Sequence, residues 1–145
     1  MIVRPASAAG RPAWAAMRQR LWPDSEAEEL ERDPPSAFVA ERDGRLIGFA
    51  EASVRSVAEG APSDPAAYLE GIWVEPEDRR RGVGRALLAA VEAWARDQGL
   101  AWLGSDALLD NGDSHRWHLA AGFGEVERLV VFGKPLGRRG EAGDG

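Results

Sequence analysis

The chain has 145 residues, with 18 basic against 24 acidic side chains, a formal net charge of −6 and no cysteine. The acidic balance speaks against non-specific nucleic-acid binding and for a cationic partner; the missing cysteine removes disulfides, thiolate metal sites and a cysteinyl acyl-enzyme. The size fits one domain with one core, and no apolar run approaches the ~18 residues of a membrane span or forms a signal-peptide core, which suits the cytoplasm.

Ile2-Val3-Arg4 reads as a first strand. Apolar residues then recur at Ala13, Trp14, Met17 and Leu21, the spacing of an amphipathic helix that Pro23 stops. Ser25 with Glu28 forms a capping box for a second, strongly acidic helix (Glu26, Glu28, Glu29, Glu31) that ends at Pro34-Pro35. Residues 37–42 and 45–56 read as two strands around Asp43-Gly44, a dipeptide suited to the positive φ of a tight hairpin turn. A loop over 59–65 leads to a strand over 68–74, which Pro76 ends. Residues 82–98 give the clearest helix: Val83, Leu87, Leu88, Val91, Trp94 and Ala95 form one stripe, and Gly99 stops it. A strand over 100–104 follows, then a helix capped by Asn111 or Asp113 and stopped by Gly122. Residues 123–126 and 128–134 read as two closing strands, and the glycine-rich, charged residues 137–145 as a disordered tail. This order predicts a single α/β domain over residues 1–136 with a mixed sheet.

Between a predicted strand and the clearest helix lies Arg79-Arg80-Arg81-Gly82-Val83-Gly84-Arg85-Ala86-Leu87. Glycines let backbone N–H groups turn inward around an anion, a helix N-terminus adds about half a positive charge, and arginines pair phosphates bidentately. A pyrophosphate is the natural ligand. A Walker loop is excluded because its lysine is missing, and a dinucleotide fingerprint because Leu87 stands where the third glycine belongs. Taken alone, the loop also reads as a solvated arginine run before an ordinary glycine-started helix.

The pattern Arg79-x-x-Gly82-x-Gly84 resembles the coenzyme-binding signature of the GNAT superfamily of N-acetyltransferases. Ile72-Trp73-Val74-Glu75-Pro76 is similar to that family's splayed fourth strand, and Trp117-His118-Leu119-Ala120-Ala121-Gly122-Phe123 to its helix ending in Gly-Phe. Three further segments, Met17-Arg18-Gln19-Arg20-Leu21-Trp22-Pro23, Tyr68-Leu69-Glu70-Gly71-Ile72-Trp73-Val74 and Ser105-Asp106, resemble the type I aminoglycoside 6′-N-acetyltransferases. The resemblance implies an α/β fold of about seven strands and about four helices. It also implies acetyl-coenzyme A as cosubstrate, a polycationic aminoglycoside as acceptor, and a homodimer.

Acetyl transfer to an amine needs a base for the amine proton, a polarised thioester carbonyl and a proton for the departing thiolate. Glu70, a carboxylate among apolar strand residues, is the first candidate for the base; an outward-facing strand position is the alternative. Asp106, at a strand end, contacts the amine by resemblance, and otherwise reads as a turn or capping residue. His118 stands where the superfamily usually has the tyrosine that protonates the thiolate; packing is the competing reading. The backbone at Trp73 and Val74 is expected to hold the acetyl carbonyl and the pantetheine arm. Asn111 and Ser114 are expected at that arm, and Trp22, Tyr68 and Glu127 around the acceptor. His115 and His118 lack a third ligand, so no metal is expected. Two other functions fit less of the sequence: the same chemistry on a polyamine, small metabolite or protein N-terminus, and a non-catalytic acyl-coenzyme A sensor.

Overall fold

The computed structural model describes residues 1–26 and 36–139. Among these, β1 (Ile2–Pro5) is followed by a 3₁₀ turn (Ala8–Gly10) and α1 (Arg11–Leu21). Then come β2 (Ser36–Arg42), β3 (Arg45–Arg55), β4 (Ala66–Val74) and a second 3₁₀ turn (Pro76–Asp78). The chain continues through α2 (Val83–Asp97), β5 (Leu103–Ser105) and α3 (Gly112–Ala120). The five strands form one sheet in sequence order, antiparallel from β1 to β4 and parallel between β4 and β5. Asp43 and Gly44 both take positive φ, as the hairpin reading requires.

Helices cover both faces, so strand alternation sorts side chains into two apolar layers. Trp14 and Met17 of α1 pack with Val39 and Phe49. On the opposite face Val83, Leu87, Leu88 and Val91 of α2 pack on Ala40, Ile47, Ala50, Ala52 and Leu69. Two glycines permit the close approaches. A Cβ on Gly48 would lie 2.7 Å from the Trp73 carbonyl oxygen and 3.2 Å from Leu87 Cδ1. A Cβ on Gly71 would lie 2.3 Å from Trp22 Cζ2 and 3.0 Å from Leu21 Cδ2. The α1 layer also contains a buried ion pair, Arg18 Nε to Glu51 Oε1 at 2.5 Å, and the Arg18 guanidinium lies over the rings of Trp14 and Trp22.

Two irregularities in β4 shape everything downstream. First, Glu51 pairs with Gly71 and Ala52 with Leu69, so Glu70 is an extra residue, a β-bulge. Second, β5 pairs only with Ala67, Tyr68 and Leu69. From Glu70 to Val74, β4 therefore has no neighbour on its β5 side, and the sheet opens into a notch.

The structure corrects several expectations. Five strands and three α-helices are present among the described residues, against about seven and about four expected from the usual content of such a sheet. The acidic second helix falls largely on residues 27–35, outside the described residues. The strand expected over 100–104 is Leu103–Ser105, because the chain after α2 first closes a Schellman stop, with Leu100 N donating to Ala95 O and Gly99 N to Arg96 O. Residues 123–126 and 128–134 are not strands. A strand needs a ladder partner, and this segment has none among the described residues; Leu129, Val130, Val131 and Phe132 are exposed. Among the described residues no helix is long and apolar enough to cross a membrane.

Two tests follow from the packing. Burial raises the Glu51 carboxyl from its ordinary 4.5 to about 7, against the pull of Arg18. The folded state then binds this proton more tightly than the unfolded chain. The contribution is therefore most favourable below about pH 4.5 and is lost as pH rises through 7. Thermal denaturation across that window is expected to show a flatter pH dependence for Glu51→Gln than for the wild type, with the variant less stable overall because Arg18 loses its partner. Gly71→Ala is expected to destabilise by about 1–3 kcal/mol through overpacking, with a shift in tryptophan fluorescence as Trp22 is displaced.

Candidate active site

Alternation places Glu70 on the α1 face of the sheet, the face that also carries Tyr68 and Ser53, and the bulge keeps Gly71 on that face too. There its carboxylate is held from three sides: Ser53 Oγ donates at 2.6 Å, Arg55 Nε at 2.9 Å and Arg55 Nη2 at 2.7 Å. Burial alone would raise its pKa, but the bonds from Arg55 and Ser53 outweigh burial and hold it below the ordinary carboxylate value. Glu70 is therefore ionised at neutral pH. The Arg55 guanidinium lies 3.5 Å above the Tyr68 ring. The Tyr68 hydroxyl donates to Asp106 Oδ2 at 2.6 Å. Burial and that bond to Asp106 push the Tyr68 phenol well above its usual range, so it stays protonated and serves as a fixed donor. Trp22, at the end of α1, rests on Gly71 and meets Phe49 edge-on. Glu70, Tyr68, Asp106 and Trp22 thus form one acidic and aromatic wall.

His118 sits on α3 at the mouth of the notch. Its Nδ1 donates to the Ser114 carbonyl at 2.7 Å, and its Nε2 is 2.8 Å from Ser105 Oγ, which lies 3.4 Å from the Leu69 carbonyl. Its ring packs edge-on against Trp117 and Phe123. A proton on Nε2 therefore has a path through Ser105 to the end of the β4–β5 ladder. Asn111 is the α3 cap, its Oδ1 accepting from Ser114 N at 3.2 Å.

The arginine-glycine loop ends at α2. Gly82 has φ +82° and Arg80 φ +63°, and a Cβ on Gly82 would meet only open space. No side chain caps α2, so its first N–H groups face that space. Arg80, Arg81 and Arg85 form no ion pair among the described residues. Unpaired arginines, an uncapped helix start and a left-handed glycine fit the pyrophosphate of a coenzyme. Arg79 is used differently: its Nε donates to Val74 O at 2.8 Å and its guanidinium lies over the Trp73 ring, tying the loop to β4. Gly84 packs against Trp117 Nε1, which joins the loop to α3.

The structure thus brings Glu70, Tyr68, Asp106 and Trp22 together, with His118 across the notch. It leaves Glu127 on the exposed C-terminal segment, without a hydrogen bond or ion pair to that cluster among the described residues. Sequence reasoning missed Ser53, Arg55, Arg18 and Glu51. The pairing of Ser53 with Tyr68 would have exposed two of them, but a ten-residue connection and a bulge hide that register. Among the described residues no group of three or more His, Cys, Asp or Glu is arranged around a metal site.

Residues 8–123 match the Acetyltransferase (GNAT) family. The chain is 44% identical to an aminoglycoside N(6′)-acetyltransferase type 1 from Stenotrophomonas maltophilia, over 92% of this chain and 93% of that protein. It superposes on the apo crystal structure of aminoglycoside antibiotic 6′-N-acetyltransferase AAC(6′)-IG from Acinetobacter haemolyticus with a TM-score of 0.87, at 36% identity, covering 94% of this chain and all (100%) of that one. The complex of AAC(6′)-Iy with the bisubstrate analogue CoA-S-monomethyl-acetylneamine gives a TM-score of 0.84 at 36% identity, covering 93% and 98%. A family match reaching from the approach to α1 through Phe123, with relatives this similar along nearly the whole chain, establishes that the chain belongs to the GNAT family of acetyltransferases.

Proposed function

We propose that the protein transfers the acetyl group of acetyl-coenzyme A to the 6′-amine of aminoglycosides, by direct attack within a ternary complex. The observation that carries the acceptor assignment is the acidic and aromatic wall at the foot of the notch. An ionised Glu70, a second carboxylate on Asp106 and the faces of Tyr68 and Trp22 suit a polycationic sugar. The relatives named above support the same reading, one of them being solved with an analogue that joins coenzyme A to acetylneamine.

The chain's own residues divide the work. Arg80, Arg81, Arg85 and the backbone of Gly82, Val83 and Gly84 hold the coenzyme's pyrophosphate. The pantetheine arm lies in the notch, where the unpaired backbone of Trp73 and Val74 receives it as a short strand and orients the acetyl carbonyl. Ser114 and Asn111 border its far end. The coenzyme supplies an activated thioester. Glu70 takes the ammonium proton, directly or through one water, and Asp106 orients the acceptor. The amine forms the new C–N bond as the C–S bond breaks. His118 returns a proton from Nε2 to the thiolate by way of Ser105.

The protein acts as a homodimer in the cytoplasm, where its cosubstrate is found. The exposed segment through Val130, Val131, Phe132 and Leu136 supports the dimer. So does an open groove beside it, at the free edge of β5, lined by Ala95, Leu100, Trp102, Leu103 and Phe123. A second copy's segment fits that edge as an added strand.

Three experiments test this. Thiol release with acetyl-coenzyme A is measured for kanamycin, tobramycin, 6′-hydroxyl aminoglycosides, spermidine and a short peptide. Turnover confined to the 6′-amino drugs is expected; turnover of the polyamine or peptide alone replaces the acceptor. Glu70→Gln is expected to lower kcat/KM by roughly 100-fold or more with coenzyme affinity kept; wild-type kinetics would remove the base assignment. In sedimentation the wild type is expected at twice the 15.7 kDa chain mass, and a Val131→Asp/Phe132→Asp double variant at once that mass.

A further inference from the structure

Arg55 occupies the acceptor site in the structure, and it does so as a substrate ammonium would. Its guanidinium forms two parallel bonds to Glu70, 2.9 and 2.7 Å long, and at the same time lies 3.5 Å over the Tyr68 ring. Those are the two attractions the wall offers to a cation: an ionised carboxylate and an aromatic face. Asp106, bonded to the far end of the same tyrosine, adds its field from behind. No apolar layer locks Arg55 in place. Its side chain is 41% exposed, and it stands at the last residue of β3. The buried Arg18–Glu51 pair nearby is different: both partners are under 10% exposed and packed among tryptophans, so that pair is fixed.

We propose that Arg55 is a displaceable internal counter-ion that selects for acceptors carrying several positive charges. In the empty site it neutralises Glu70 and covers Tyr68. An incoming ammonium must expel it. A monocationic amine replaces one cation by another and gains little. A polycation makes its first contact with Asp106 and the wall through other ammonium groups, and these additional contacts drive the exchange at Glu70. Once expelled, the guanidinium moves to solvent, where exposed charges are cheaply accommodated. Selectivity then arises from a competitor built into the chain rather than from a contact to the favoured substrate.

The inference rests on the acceptor site proposed above, and the test separates the two. Steady-state kcat and KM are measured for the wild type, Arg55→Ala and Arg55→Gln, with neamine as polycationic acceptor and a monocationic amino sugar bearing the same 6-amino-6-deoxy ring. Removal of the competitor is expected to lower KM for the monocation by about tenfold or more and for neamine by less, so that the ratio of the two kcat/KM values narrows by a similar factor. Arg55→Gln keeps a planar group over Tyr68 without charge and is expected to behave like Arg55→Ala. Arg55→Lys, which keeps the charge, is expected to restore the wild-type ratio. If Arg55 only holds Glu70 in position, kcat falls equally for both acceptors, the ratio stays fixed and the proposal is overturned. A rise in KM for both acceptors in the neutral variants, as for a residue that binds substrate, overturns it too. If the wild type acetylates neither acceptor, the acceptor site itself is wrong and the inference falls with it. Thermal denaturation of each variant confirms that folded protein is being compared.

Discussion

Ordinary alternation from Tyr68 and Leu69 places Glu70 on the α1 face, beside Ser53 and Arg55, where three donors meet its carboxylate. An uninterrupted ladder would then put Gly71 on the α2 side and turn Ile72 out of the apolar layer beneath α2. The extra residue at the bulge instead keeps Gly71 on the α1 face, against Trp22 with no room for a side chain, and returns Ile72 to the core. One inserted residue therefore lets the carboxylate and the seat of Trp22 share one face, and the proposed acceptor wall depends on both.

The arginine-glycine loop is attached to α1 through Trp73. Arg20 of α1 lies over that ring and binds Glu75 with bonds of 2.8 and 2.6 Å; Arg79 of the anion loop lies over it as well. Glu75 is almost fully buried beneath this contact. The helix that carries Trp22 and the arginine-glycine loop thus share one aromatic anchor. Asp78, also buried and held by Arg42 and Arg45, fixes the turn between them to the β2–β3 hairpin.

Much of this was legible in the chain. Asp43-Gly44 marks its hairpin because few dipeptides tolerate two positive φ values, and the α2 stripe is periodic enough to predict its buried face residue by residue. The loop at Arg79–Gly84 was legible as a turn into a helix: Gly82 takes positive φ and α2 starts directly after it without a side-chain cap. Arg55 and Arg18 were not legible, because cross-strand and helix-to-strand partners follow from register, and a bulge shifts register without leaving a pattern in composition. The closing strands failed for another reason. Val126, Val130, Val131 and Phe132 have the right propensity, but propensity describes a residue's fit to a sheet and supplies no sheet for it to join.

That unpaired segment has a consequence for how the molecule survives dilution. Apolar side chains that are covered only by another copy contribute to folding through a bimolecular step, so their share of the stability scales with the logarithm of protein concentration. In the dimer proposed above, a chain present at low abundance would hold a larger fraction of molecules with bare hydrophobic ends and an open sheet edge, the form most exposed to proteolysis and to pairing with unrelated strands. Cellular abundance, as well as sequence, would then determine how much of the protein persists in usable form.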